Sequence, residues 1–166
     1  TDQTLLRWLV RSGQHAERLH NHFSQHLVYH HLQLDELYLR VLGCAEGQWL
    51  WVALDGVNKL ILGFTTGSRK AEMAYRIVHQ IKPLLRLDTL PVFTTDGLKH
   101  YFYALTAHFG TWYQVGRQRV WQVSPDLLYG QLKKIQRRGR LLNVEHHMLL
   151  GSLADLRSRL KAVGLS

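Results

Sequence analysis

The chain has 166 residues, 46% of them hydrophobic, which suffices for one domain with a proper core but not for two comfortable ones. Its longest apolar stretch, residues 49–64, is interrupted by Asp55, Asn58 and Lys59, which excludes a membrane span of roughly 20 clean apolar residues. The formal net charge of +9 creates a field that attracts polyanions, so nucleic acid is the leading partner. The alternative is a ribosome-associated protein or a soluble protein that is simply basic.

Two features of the sequence indicate the cellular compartment of the protein: its cysteine content and its first residues. Cys44 is the one cysteine, which excludes an internal disulfide and suits a reducing cytoplasm. Residues 1–4 have neither the basic nor the apolar region of a secretory signal. We therefore expect a cytoplasmic protein, associated with the nucleoid if DNA is its partner.

The predicted elements begin with two helical pieces, residues 4–10 and 14–27, separated at Gly13. From residue 29 to 41 the apolar period changes to two, which predicts a strand. Two more strands are predicted at 48–55 and 59–66, with Asp55-Gly56 as the turn between them. Together these strands make a three-stranded meander.

The middle of the chain is predicted to alternate helix and strand. Ser68 is expected to cap a helix with a buried apolar stripe, which Pro83 kinks or ends. A short strand at residues 91–95 precedes a helix at 98–109, which Gly110 closes. The predicted order up to this point is β-β-β-α-β-α.

The last third begins with a predicted strand at residues 119–123 and a helix from Ser124-Pro125 to about Arg138. Alternating apolar residues predict another strand at 142–150, ended by Gly151. Ser152 opens a final helix with an acidic variant of the capping box, and Gly164 closes that helix.

Two carboxylates stand out by their positions in these elements. Asp35 lies within the first strand among apolar residues, and Asp96 lies at the carboxyl end of the fourth strand, where open α/β sheets bind ligands. If the first and fourth strands are neighbours, the two aspartates can share a hard divalent cation. An Asp before Gly is often only a turn residue, and strand parity alone does not separate Asp35 from Glu36.

Several segments together resemble the catalytic core of insertion-sequence transposases of the DDE type, in the IS1-type group. The resemblance rests on residues 32–38 (LQLDELY), 49–55 (WLWVALD), 61–64 (ILGF) and 95–98 (TDGL), followed by Tyr101 and Ala104-Leu105. It implies an α/β fold of the RNase H-like, retroviral integrase-like kind, with a mixed sheet and helices on its faces. It also implies that Asp35 and Asp96 are catalytic and bind Mg²⁺ or Mn²⁺.

The resemblance further implies metal-dependent DNA strand cleavage and strand transfer in transposition. The partners would be the element ends and the target DNA, and the resemblance leaves open a homodimer or a higher assembly on DNA. Residues 1–28 would be a helical linker after a helix-turn-helix region that the chain lacks, and residues 29–166 would be the catalytic core. We expect the core to be incomplete at its carboxyl end.

The third acid is the point on which spacing and resemblance disagree. Spacing nominates Glu145, which lies 145 − 96 = 49 positions after Asp96. The alternating setting of Glu145 predicts a strand, whereas the family's glutamate begins a helix in a pattern like N-T-x-x-x-E-R-x-N. Because that pattern does not occur here, we expect the family's glutamate beyond Ser166 and reject Glu145.

Basic side chains are candidates for phosphate contacts, since each neutralised phosphate strengthens the salt dependence of binding. The candidates are Arg69, Lys70, Lys133, Lys134, Arg137, Arg138 and Arg140. Arg69 and Lys70 precede a predicted helix, whose N-terminus attracts anions. The alternative is that the later run is only a solvated helix face.

Two other functions remain open at this stage. An RNase H-like nuclease or resolvase would use the same two aspartates. Less favoured is a zinc-containing DNA-binding module built on His20, His22, His26, His30 and His31, because structural zinc sites usually include several cysteines.

Overall fold

The structure is a computed structural model that describes residues 1–25, 27–40, 47–137 and 140–165. Four helices and eight strands occur in these ranges. The helices are α1 (Asp2–Ser24), α2 (Ala71–Ile81), α3 (His100–His108) and α4 (Leu153–Ala162). The strands are β1 (His31–Leu39), β2 (Gln48–Asp55), β3 (Ile61–Gly67), β4 (Val92–Thr95), β5 (Gly110–Val115), β6 (Gln118–Val123), β7 (Tyr129–Arg137) and β8 (Arg140–Leu150).

Six of the strands form one mixed sheet in the order β3-β2-β1-β4-β7-β8. The β1–β4 and β4–β7 pairs are parallel, and the others are antiparallel. The meander of β1, β2 and β3 therefore connects through α2 to β4, which lies next to β1, the arrangement that a metal site shared by Asp35 and Asp96 requires. The predicted order β-β-β-α-β-α is confirmed, and the chain is an α/β protein with helices flanking a mixed sheet.

The main core lies between the sheet and the pair α2 and α3. On α2 the buried residues recur at spacings of three and four, including Ala74, Ile77 and Ile81, and they pack with Trp51 of β2 and Tyr101 of α3. Such a stripe buries one helix face against the sheet. α2 ends at Ile81, and Pro83 lies in the 3-10 turn that follows, as predicted from the ring's clash with the preceding helix turn.

The opposite face of the sheet carries α4. A smaller cluster joins Val92 of β4 and Leu128 to Leu156 of α4, with Met148 and Leu160 packed against it. Because successive strand residues point to opposite faces, Val92 packs under α4 while Phe93 belongs to the main core. Helices therefore pack on both faces of the sheet, α2 and α3 on one face and α4 on part of the other.

Several local predictions were wrong. Gly13 does not divide α1, which is continuous, because a glycine within a helix costs only about 1 kcal/mol. Ser68 does not cap α2, whose N-cap is Lys70 without a side-chain bond. Gly110 begins β5 instead of closing α3, and β5 itself was missed.

The largest error is the helix predicted from Ser124 to Arg138. Ser124 and Pro125 instead form a single turn, in which the Leu127 amide donates to the Ser124 carbonyl at 3.2 Å. The chain then forms β7, which pairs with β4 on one side and β8 on the other. The hydrogen-bonding demand of two neighbouring strands outweighs a local capping signal.

Candidate metal centre

The pairing of β1 with β4 brings Asp35 and Asp96 together. Leu34 is the partner of Thr95 in the parallel register of β1 and β4. Asp35 and Asp96 each follow one of these paired residues directly in the sequence. One carboxylate oxygen from each of Asp35, Glu36 and Asp96 lies within 4.8 Å of the others. The expected approach of Asp35 and Asp96 is therefore what the structure shows, and Glu36 adds a third acid.

Strand geometry gives Asp35 and Glu36 different surroundings. Asp35 is exposed on the face of β1 away from the main core, whereas Glu36 is buried on the core side. Backbone amides hold one oxygen of each aspartate: Glu36 donates to Asp35 Oδ1 at 2.8 Å, and Leu98 donates to Asp96 Oδ1 at 2.9 Å. The second oxygen of each aspartate accepts no hydrogen bond from the described residues.

Glu36 is bound on both of its oxygens. Arg69 donates to Oε1 from both Nε and a terminal nitrogen, and the Tyr101 hydroxyl donates to Oε2 at 3.3 Å. Burial raises the pKa of the Glu36 carboxyl above its usual range, and the hydrogen bond from Arg69 only partly opposes this. Burial next to Glu36 likewise raises the pKa of the Tyr101 hydroxyl. Tyr101 therefore remains a hydrogen-bond donor to Glu36 at neutral pH.

Arg69 links the acids to one another. Its guanidinium pairs with Glu36, lies 3.9 Å from Asp96 Oδ2 and stacks at 4.6 Å from the centroid of the Trp49 ring. The sequence favoured Arg69 as an anion site at a helix start. In the structure its charge is directed to the acidic cluster, while Lys70 occupies the helix N-cap. Whether either contacts DNA stays a prediction.

The oxygens at this site fit a hard divalent cation. Mg²⁺ takes oxygen ligands at about 2.0–2.1 Å, so two oxygens on opposite sides of one ion are roughly 4.2 Å apart. The three carboxylate oxygens lie within 4.8 Å of one another, which is close to that span. The acidic cluster could therefore hold a metal ion, mainly through Asp35 and Asp96.

A groove of about 460 Å³ opens on the sheet face that carries Asp35. Its charged lining residues are Asp35, Asp96 and Lys134, and its apolar lining residues are Leu37, Leu50, Val52, Leu54, Ile61 and Leu132. Lys133 points to the other face of β7 and lies beside Gly97. Because this segment is a strand, Lys133 and Lys134 point to opposite faces of β7, and Lys134 lines the groove with Asp35 and Asp96.

The other basic candidates lie further along the same pair of strands. Arg140 is exposed at the start of β8, where it is the register partner of Arg137 on β7. Arg138 and the Arg137 side chain lie outside the described residues. In the described residues the basic run therefore lies on the strands β7 and β8 and not on one helix face as predicted.

Glu145 lies on β8, as the alternating sequence predicted. Its backbone pairs with Lys133, and its carboxylate accepts a hydrogen bond from His147 at 3.0 Å. Glu145 does not belong to the acidic cluster. The rejection of Glu145 as a member of this site agrees with the geometry.

The histidines do not assemble into a metal site in the described ranges. His20 contacts the Leu62 carbonyl at 3.1 Å, and His31 contacts the Thr94 hydroxyl at 2.8 Å. His22 packs on Phe23, and His26 lies outside the described residues. Asp35, Glu36 and Asp96 are the one metal-capable group found among the described residues.

Glu36 is the site residue that the sequence interpretation left out. Strand parity did not separate Glu36 from Asp35 in the sequence, and only the structure shows that Glu36 shares the buried face of β1 with Leu32 and Leu34. A charged residue on a core face needs a partner. Its partner, Arg69, lies 33 positions away and could not be identified from β1 alone.

Comparisons with known proteins add no assignment. A scan against models of protein families finds no match, and a search of curated proteins finds no similar sequence. Among the described helices none is long and apolar enough to cross a membrane.

Proposed function

We propose that this chain is the catalytic core of a DDE-type transposase with an RNase H-like fold. The observation that carries the proposal is the parallel pairing of β1 with β4, which brings Asp35 and Asp96 together. The resemblance in sequence assigns a metal-binding role to the same two aspartates. The meander, the crossover through α2 and the central position of β1 and β4 in the sheet support the RNase H-like assignment.

The roles of the side chains follow from their contacts. Asp35 and Asp96 present carboxylate oxygens for Mg²⁺ or Mn²⁺, and such ions when bound stabilise the attacking and leaving oxygens of phosphoryl transfer. Glu36 is a positioning residue, because it is buried and holds Arg69 beside Asp96. Lys134, in the same groove, supplies positive charge for a DNA phosphate.

DNA is the proposed substrate and partner, as element ends and as target. The net charge of +9 favours a polyanion. In this proposal the DNA backbone lies along the groove past Lys134 and reaches Asp35 and Asp96. Asp35 is exposed, so a scissile phosphate can approach the two aspartates.

Metal binding is the direct test of the site. Titration with Mn²⁺ followed by calorimetry should show binding that Asp35→Asn and Asp96→Asn each weaken at least about tenfold, because each removes a charged oxygen ligand. Glu145→Gln is the matched control, since its carboxylate lies outside the cluster, and it should bind as the parent chain does. Equal losses in all three variants, or no loss in either aspartate variant, would refute the site.

The reaction products distinguish transposition from cleavage alone. With Mn²⁺ and labelled DNA, joined strands that depend on Asp35 and Asp96 would support the transposase proposal. Nicks without joined strands would favour a nuclease or resolvase that uses the same two aspartates. Cleavage abolished by Glu145→Gln would contradict the assignment of the acids.

A further inference from the structure

The β5–β6 hairpin exposes aromatic and apolar side chains that the fold does not use. Its two strands form a separate sheet, joined by a two-residue turn in which Gly116 has φ 61°, as a type II′ turn requires. Most residues of both strands are exposed. The exposed apolar side chains are Trp112, Tyr113 and Val115 of β5 and Val120 of β6.

The base of the hairpin is firmly attached to the domain. The Trp121 indole donates to the Thr106 carbonyl of α3 at 2.8 Å, and the Ser124 amide donates to the Phe109 carbonyl at 3.0 Å. Phe109 in turn packs on Phe93 of β4 at 5.2 Å between ring centroids. The hairpin therefore leaves the domain near the start of β4, whereas Asp96 follows the end of that strand.

One face of the hairpin combines an aromatic ring with positive charge. Trp112 pairs with Trp121, and Gln114 pairs with Arg119, and directly opposed residues share a face. The rings of Trp112 and Trp121 meet edge to face at 5.3 Å, yet Trp112 remains 62% exposed. Arg117 lies in the turn, and residues 110–123 contain no acidic residue.

We propose that this face of the β5–β6 hairpin binds unpaired nucleotides. A base stacks on Trp112, while Arg119 and Arg117 neutralise the neighbouring phosphates. Aromatic side chains with adjacent positive charge are how proteins hold single strands, because every base offers a π-face and the backbone is anionic. The bases of a duplex are already stacked on each other, so a ring on an open ribbon matches unpaired bases better.

This binding site is distinct from the acidic cluster. The hairpin is anchored through Phe109 to Phe93 in the first half of β4, whereas Asp96 follows the end of that strand. The site shares with the proposed function only the assumption that the chain acts on nucleic acid. Its test needs no metal. Binding measured in EDTA therefore succeeds or fails independently of metal binding by Asp35 and Asp96.

The experiment compares two tryptophans of equal exposure. Trp112→Ala should weaken the binding of a labelled oligothymidine of about 20 nucleotides by roughly 5- to 150-fold, the loss of one stacked base. Trp8→Ala is the matched control, because Trp8 is 63% exposed on α1, and it should leave the affinity unchanged. Thermal unfolding of both variants should match that of the parent chain, since neither ring is buried.

Charge provides a second readout that a merely structural role would not change. Arg119→Gln should reduce the slope of log affinity against log salt by about 0.7, the value for one phosphate contact on a single strand. The proposal is overturned if Trp112→Ala binds normally, if Trp8→Ala loses as much, or if matched duplex binds more tightly than the oligothymidine. Self-association that Trp112→Ala abolishes would overturn it too, because the face would then bind a second copy of the chain.

Discussion

Glu36 links the core of the protein to the acidic site. Its side chain is 1% exposed, whereas Asp35 beside it points to the groove. A buried carboxylate is costly unless it is paired, and Arg69 and Tyr101 supply the pairing. Because burial is the largest influence on the pKa of Glu36, the neutral form is favoured in the folded state more than in the unfolded chain.

This pKa shift predicts how stability depends on pH. The folded pKa lies above the unfolded value of 4.5, so the associated stability is present below about pH 4.5 and is lost as pH rises through the folded pKa. The Glu36→Gln variant has no carboxyl group to ionise at this position, so it does not lose stability in this way as the pH rises. Its free energy of unfolding in urea should therefore rise relative to the parent chain between about pH 4.5 and pH 7.5.

Glu72→Gln is the control for that measurement, because Glu72 also pairs with an arginine, Arg76, but at the surface. It should change stability by less than about 1 kcal/mol. If Glu36→Gln instead loses stability relative to the parent as pH rises, the ion pair with Arg69 outweighs burial.

His31 is a second buried titratable residue, at the start of β1. Its Nε2 contacts the Thr94 hydroxyl at 2.8 Å, and its Nδ1 has no partner among the described residues. Burial lowers the pKa of the His31 imidazole, although the nearby Asp55 partly opposes this. The folded protein therefore favours the neutral ring.

The contribution of His31 to the free energy of unfolding should therefore decrease in acid. Because the folded pKa is below the unfolded value of 6.5, the contribution of His31 is present above about pH 6.5 and is lost as pH falls through the folded pKa. The difference in unfolding free energy between the parent chain and His31→Gln should narrow as pH falls from about 7 to 5. His15→Gln, on the exposed face of α1, is the control. A difference that stays constant for His31→Gln would contradict the prediction.

Among the elements, α4 has the most complete local signal. The Ser152 hydroxyl accepts from the Asp155 amide at 3.1 Å and donates to the Asp155 carboxylate at 2.6 Å. Gly164 ends the segment with φ 75°, and its amide donates to the Lys161 carbonyl, as a left-handed C-cap does. Both ends agree with the sequence prediction, because capping depends on residues three or four positions apart.

Removal of the cap should have a measurable cost. Ser152→Ala should lower the free energy of unfolding by about 0.5–2 kcal/mol, because the Asp155 amide loses its acceptor. Ser158→Ala, in the exposed middle of the same helix, should change it by less than about 0.5 kcal/mol. Chemical denaturation measures both. Equal effects would show that the Ser152 hydroxyl does not stabilise the helix.

For the whole molecule, the excess of positive charge predicts DNA binding that weakens steeply between about 50 and 200 mM salt, through counterion release. Lys134 lies in the groove with Asp35 and Asp96, so Lys134→Gln should reduce the slope on duplex DNA by about 0.9. Lys161→Gln, at the end of α4, is the control and should leave the slope unchanged. An affinity indifferent to salt would contradict DNA binding by this charge.

The sequence alone determined the features that depend on near neighbours. The periodicity of apolar residues gave the meander, α2 and β8, and the turn and cap residues gave Asp55-Gly56 and Ser152 their roles. The same local patterns predicted that Asp35 lies within a strand and that Asp96 lies at the carboxyl end of another strand. Ligands of open α/β sheets bind at such strand ends, so both residues were candidates before the pairing of their strands was known. Local periodicity and capping are set within a few residues, so no tertiary contact was needed.

Only the tertiary structure decided the features that depend on distant partners. Residues 129–137 became a strand because β4 and β8 offer hydrogen bonds on both sides, although Ser124-Pro125 favoured a helix. The pairing of Glu36 with Arg69 and the placement of Lys134 in one groove with Asp35 and Asp96 depend on contacts between segments far apart in the chain. Local signals carry a small free energy, and strand pairing and burial of charge outweigh it.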